Sequence, residues 1–248
     1  MTDNKRIAKN TLFLYFRMML IVTVSLYTSR VTLKLLGVDD FGIYQTVGGA
    51  VTFLAFLSNA LGSGTSRFIT YEMGKENPRL KALFATVRVA HIILGIVIVI
   101  VGEIIGLWFV YNKLVIPIER LDAAVFAFHF SMLATFFQIT QVPYNASIIA
   151  HERMNIYAYI SILEAVLKLA ITYILLVFPY DKLKVYSVLM FLITILVMSV
   201  YRIYCRKMFE EVRAKLLFNK EIFKEVASFS GWNLLTSSAA SLANQGVT

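Results

Sequence analysis

The sequence predicts an all-α, polytopic integral membrane protein: a six-helix transmembrane bundle followed by the start of a seventh helix, with the N-terminus in the cytoplasm. Three observations carry this. Apolar segments at residues 11–36, 44–62, 87–111, 123–149, 157–178 and 185–205 follow one another with short charged stretches between. At about 1.5 Å of rise per residue, each reaches or approaches the roughly 30 Å of hydrocarbon that a spanning helix must cross. Second, 58% of the 248 residues are hydrophobic and 16% charged, with a mean hydropathy of +0.71, which leaves no material for a separate soluble domain. Third, the basic residues sort by side.

Most of the 24 Lys and Arg lie in the N-terminal tail, the connection 62–88, Arg153 and the stretch after the sixth segment. The alternate connections hold only Lys34, Lys113, Arg120, Lys182 and Lys184. Positive loops stay in the cytoplasm, so the net charge of +9 reports topology and contact with anionic lipid heads, and no nucleic-acid partner is expected.

Segment one has a basic-then-apolar start. It is nevertheless too long for a cleaved signal, carries Arg17 and Arg30, and lacks a small-residue cleavage site, so it reads as an uncleaved helix. Between segments two and three, Gly74 to Pro78 breaks a cytoplasmic helical hairpin, with Asn77 as N-cap and Pro78 as first helical residue. Leu80, Leu83, Phe84 and Val87 then follow at helical spacing, as in a helix skimming the membrane interface.

In segment four, Pro143 removes a backbone donor and is a kink candidate. Asn145-Ala146-Ser147 spells a glycosylation sequon, but on the cytoplasmic side it reads as chance. The single cysteine, Cys205, excludes an intramolecular disulfide.

The domain reading is a six-helix bundle over 1–205, a cytoplasmic amphipathic linker over 206–230, and the start of a second bundle over 231–248. Asn219 to Lys224 echoes Asn4 to Lys9 at four of six positions, ahead of a long apolar stretch both times. This suggests a repeat, with a second six-helix half beginning near Asn219 and cut off inside its first helix at Thr248.

An ionisable side chain deep in the bilayer costs about 2.5–3.5 kcal/mol on insertion scales, so each one is a site candidate. Glu164 and Lys168 lie one turn apart on one helix face, Lys168 near the midplane. They read either as a structural ion pair or as a substrate-binding cation oriented by its carboxylate. Arg17 and Arg30 are about 220° apart around the helix and cannot both face one cavity. Arg30 is the preferred one, because it forms a cationic strip with Lys34 that suits a phosphate or acidic sugar.

Glu103, His91 and His129 also lie within apolar runs. They are open to two readings, proton coupling or buried structural positions. Metal-spaced clusters, phosphate-cradling loops and nucleophile elbows are missing, so no enzyme, metal or cofactor is expected.

Three stretches carry a resemblance. Tyr27-Thr28-Ser29-Arg30 running on to Leu35 through Tyr44, then Leu61 through Phe68, and Pro143-Tyr144-Asn145-Ala146 on to Ala150 through Ala158 resemble Wzx-type polysaccharide flippases, in the order expected for that family. The resemblance implies the multidrug/oligosaccharidyl-lipid/polysaccharide exporter fold: two six-helix bundles related by a pseudo-twofold axis around a cavity alternating between leaflets. It further implies the inner membrane of a bacterium and an undecaprenyl-pyrophosphate-linked oligosaccharide destined for O-antigen or capsule, with a glycan polymerase as a candidate partner. A cationic cavity is usual in that family; Arg17, Arg30, Lys34 and Lys168 would supply it here, with Glu164 and Glu103 as coupling or orienting groups. The alternatives are a cation-coupled multidrug antiporter of the same fold and a membrane scaffold for glycan assembly.

Overall fold

The computed structural model describes the backbone over residues 3–76, 78–178 and 180–245, and side chains over 11–48, 62–76, 78–178 and 180–232. Among the described residues there is no strand. A helix running Asp3–Met73 breaks at Gly37 (φ 83°, ψ 172°), a backbone conformation open to glycine and strained for other residues. The break defines α1 (3–36) and α2 (38–73). There follow α3 (Leu80–Asn112), α4 (Ile118–Ala150), α5 (Met154–Ile174), α6 (Lys182–Met208), a 3-10 turn (Glu211–Arg213) and α7 (Lys220–Gln245). Five stretches among the described residues are long and apolar enough to cross a membrane, the first of which, Thr11–Gly48, continues through the Gly37 break. The protein is a multi-pass, all-helical membrane protein.

Several boundaries differ from the sequence reading. The loop expected between the first two helices shrinks to Gly37 alone, because one residue with positive φ turns the chain and the helix resumes at once. α2 runs on to Met73, past the expected end at 62. α3 starts at Leu80, not Pro78, and the amide of its N-cap residue Arg79 is met from the preceding helix: Glu72 accepts from it at 2.8 Å and from the Lys75 ammonium at 2.6 Å. Asn77 lies outside the described residues. The residues expected to skim the interface are core: Leu83, Phe84 and Val87 are buried. α4 continues through the buried Pro143.

Residues 206–230 do not form one amphipathic helix. α6 ends at Met208, a non-helical stretch crosses the bundle end, and α7 begins at Lys220, well before Gly231. Asn219 caps α7, its Oδ1 accepting from the Glu221 and Ile222 amides at 2.9 and 3.1 Å. The rest of the predicted second-bundle segment, beyond Trp232, has no described side chains.

α4 sits at the centre, packed against α2, α3, α5 and α6. In its most apolar stretch 44% of residues are buried, against 11% for α3, whose Ile93, Ile96, Ile100 and Ile104 are exposed, as suits a lipid-facing helix. Small residues let α3 approach. A Cβ at Gly95 would come within 2.9 Å of the Phe136 ring, at Gly102 within 2.6 Å of Met132 Sδ, and at Gly106 within 2.2 Å of Phe128 Cζ. Phe128, Met132 and Phe136 recur every fourth residue on α4, so three knobs enter a row of glycine holes.

The two ends are tied by charge. At the end opposite the basic loops, Arg120 bridges Asp40 (Nε to Oδ1, 2.7 Å) and Asp181 (Nη1 to Oδ2, 2.8 Å), joining the start of α2 to the loop before α6. Asp181 also caps α6 through the Leu183 and Lys184 amides. Burial alone would raise the Asp181 carboxyl, but Arg120 and these amides hold it below its ordinary value. Lys184 pairs with Asp122.

At the basic end, residues 209–219 are pinned to the bundle. His151 Nε2 meets Glu211 Oε1 at 2.7 Å and its ring stacks on Phe209 at 4.0 Å. Arg88 donates to the Ala214 carbonyl at 3.0 Å, and the Asn219 amide donates to Thr86 Oγ1 at 3.1 Å. α7 then packs on α2: Phe229 lies edge-on to Phe68, and Ser230 Oγ would stand 2.5 Å from a Cβ on Gly64.

Two outcomes are expected. Gly106→Ala forces the buried Phe128 ring aside and costs about 1–3 kcal/mol, read as a lower melting temperature in detergent, whereas Gly42→Ala, with nothing within 4 Å, changes it little. The second concerns Glu211, whose carboxyl burial would raise but which the His151 hydrogen bond and charge hold below the ordinary Glu value. A lowered carboxyl stabilises above its unfolded value and loses that contribution as pH falls through its folded one. The melting-temperature gap between wild type and Glu211→Gln therefore narrows as pH drops below about 4.3; a gap constant with pH would refute a stabilising His151–Glu211 contact.

Candidate functional site

On α4, Gln138, Gln141 and Asn145 follow at three- and four-residue spacing and so share a face. They border a cavity of about 690 Å³ completed by Ser66 and Arg67 of α2, Tyr157 and Glu164 of α5, and Thr194 and Val197 of α6. A pocket of about 230 Å³ shares Gln141, Asn145, Tyr157 and Glu164 with it and adds Arg17, Ser161 and Lys168. Another, of about 250 Å³, shares Gln138 and Thr194 and runs past Gln45 and Ser131 to Lys168. The shared walls make a polar hollow running from the basic end into the bundle's interior.

Three cations and one carboxylate border these spaces among the described residues: Arg17, Arg67, Lys168 and Glu164. Lys168 Nζ lies 2.6 Å from Glu164 Oε1, and both side chains are part-exposed, at 40% and 36%. The Arg17 guanidinium stacks 4.5 Å over the Tyr157 ring, and its Nε is buried without a hydrogen-bond partner. Arg67 stacks 4.4 Å over Phe229, which ties the mouth of the cavity to α7. Stacking steadies each guanidinium at little cost to its charge. The excess cation acts across a medium of reduced dielectric, so it attracts an anion more strongly than exposed charge would.

The sequence candidates separate. Arg17, Glu164 and Lys168 are brought together. Arg30 and Lys34 are exposed on α1 and border none of these cavities. It is Arg17, not the preferred Arg30, that borders the hollow, because α5 meets α1 on the side that carries Arg17. Glu103 Oε2 pairs with His129 Nδ1 at 2.8 Å, bridging α3 and α4 away from the hollow. His91 is buried, with Nδ1 on the Val87 carbonyl at 2.8 Å, the core position of the alternative reading.

Sequence reasoning missed Arg67 and the three carboxamides. The signal is present, since three amides at helical spacing inside an apolar segment are unusual, but neither the sequon nor the flippase-like stretch gives Asn145 a binding role. No group of three His, Cys, Asp or Glu side chains that could hold a metal occurs among the described residues.

No protein-family model matches this chain, and no curated protein matches it. Solved structures do. A MATE transporter in its straight conformation superposes with a TM-score of 0.74 at 17% identity, over 96% of this chain and 54% of that one. The fold is that of one half of a MATE-type transporter. A transporter of the MOP superfamily from Pyrococcus furiosus, described as having a binding pocket of reverse polarity that suggests a different function, matches with a TM-score of 0.71 at 14% identity, over 95% and 54%. A multidrug resistance MATE family transporter in an outward-facing conformation matches at 0.70 and 18%, over 96% and 55%. The chain spans about half the length of these structures, and at such identities the likeness is one of fold.

The Glu164–Lys168 contact is open to a double-mutant cycle. Lys168→Met leaves Glu164 unpaired inside the membrane, and adding Glu164→Leu should restore most of the lost melting temperature, for a coupling on the order of 1–2 kcal/mol. Strict additivity would show that the two side chains do not depend on each other.

Proposed function

We propose that this chain forms one half of a bacterial inner-membrane exporter that flips an undecaprenyl-pyrophosphate-linked oligosaccharide from the cytoplasmic to the periplasmic leaflet, for O-antigen, capsule or a similar surface glycan. The observation that carries this reading is the cationic excess of a polar hollow within a MATE-type half: Arg17, Arg67 and Lys168 against Glu164. A pyrophosphate head group brings negative charge that such a hollow can receive, while the polyprenyl tail stays in lipid. The stretches that resemble Wzx-type flippases supply part of its walls, Ser66 and Arg67 from one, Asn145 and Tyr157 from another, and Tyr44 from the third. Alternating access follows from rocking this bundle against a second one.

A cation-coupled drug antiporter needs carboxylates open to a cationic substrate. The one carboxylate bordering the hollow among the described residues is already engaged by Lys168, which disfavours that reading. A scaffold for glycan assembly needs no charged hollow.

Leaflet-resolved detection of undecaprenyl-pyrophosphate oligosaccharide in cells lacking the gene tests the proposal. Flipping predicts accumulation on the cytoplasmic leaflet, relieved by the wild-type gene and relieved at least tenfold less by Arg17→Ala or Lys168→Ala at equal membrane abundance. An unchanged leaflet distribution on deletion would refute it.

A further inference from the structure

Charge accounts for only part of the hollow. Along its α4 wall, Gln138, Gln141 and Asn145 span about 10 Å at the standard helical rise, and the α5 and α6 walls opposite place Ser161, Thr194 and the Tyr157 ring around the same space. Gln138 is exposed to it, and within the row Gln141 Nε2 makes only a long contact, 3.4 Å, to Asn145 Oδ1. A carboxamide offers two donors and a two-lone-pair acceptor side by side, so most of this capacity points into the hollow unspent. Inside a membrane, polar groups of this kind are costly unless they meet water or a ligand. Lipid tails and pyrophosphate do not explain them: tails form no hydrogen bonds, and a pyrophosphate presents acceptors alone, leaving the amide oxygens unused. Sugar hydroxyls are donors and acceptors on adjacent carbons, the pattern that a carboxamide complements, and an aromatic ring such as Tyr157 packs against a sugar's C–H face.

From this we infer that Gln138, Gln141 and Asn145 form the glycan-reading wall of the hollow, binding the hydroxyls of the first sugars after the pyrophosphate, while Arg17, Arg67 and Lys168 take the phosphates. The inference rests on the flippase reading and deepens it by separating the residues that select the sugar from those that hold the anion. The sequon residue Asn145 thereby acquires a role as a hydrogen-bonding side chain instead of an attachment point.

The test measures binding of two probes to the full 248-residue chain in lipid nanodiscs: undecaprenyl pyrophosphate without sugar, and the sugar-bearing undecaprenyl-pyrophosphate pool extracted from bacterial membranes. The variants Gln138→Met, Gln141→Met and Asn145→Leu keep volume and remove hydrogen bonding, so folding is preserved; unchanged melting temperatures confirm it. For the triple variant, affinity for the sugar-bearing probe should fall roughly tenfold or more, since each lost hydrogen bond is worth a few-fold, while affinity for the bare pyrophosphate stays within about twofold. Arg17→Ala should weaken both probes alike. Equal affinity of wild type and triple variant for the sugar-bearing probe, or an equal loss for both probes, would overturn the glycan wall and leave the flippase reading standing. Failure of the wild-type chain to bind either probe would overturn both.

Discussion

Hydrocarbon offers no hydrogen-bond partner, and the consequences of that constraint run through the molecule. Every backbone amide in the core must be paired within its own segment, which dictates helices and forbids open strands. Every ionisable side chain must find a counter-ion, an aromatic face or water. Among the described residues of the apolar segments, Lys168 with Glu164, Glu103 with His129, and Arg17 over Tyr157 are such answers. Only the first and third border the polar hollow; Glu103 with His129 joins two helices and leaves the cavity untouched.

The helix ends obey the same rule with different chemistry. Where the chain leaves the membrane, free amides at the starts of α3, α6 and α7 are met by Glu72, Asp181 and Asn219. The two carboxylates among them serve a second purpose, Glu72 binding Lys75 and Asp181 binding Arg120. Arg120 gathers two aspartates far apart in sequence because a guanidinium can grip two carboxylates at once, which an ammonium does less well. At the opposite end the linker is held by His151, Arg88 and Thr86, so the start of α7 packs as part of this bundle.

Packing inside the bundle is asymmetric for a reason. α3 presents glycines to the Phe128, Met132 and Phe136 row of α4 and large aliphatics to lipid. Without a hydrophobic force between helices in lipid, close approach and dispersion must supply cohesion. α4's other side is thereby left for polar side chains, and it is there that Gln138, Gln141 and Asn145 meet the hollow.

Sequence alone determined the fold class, because helix length and apolar content are local properties that the bilayer thickness reads directly. It also showed the Glu164–Lys168 pairing, since one helical turn brings the two together whatever the rest of the chain does. It favoured Arg30 over Arg17 from the strip with Lys34, without access to which flank of α1 faces α5. The Arg120 bridge to Asp40 and Asp181, the His151–Glu211 contact and the placing of Arg67 beside the carboxamide row were equally hidden. Each joins residues separated by many positions or by whole helices. Periodicity assigns residues to faces of their own helix, and only tertiary packing decides which faces meet, and so which polar groups share one hollow.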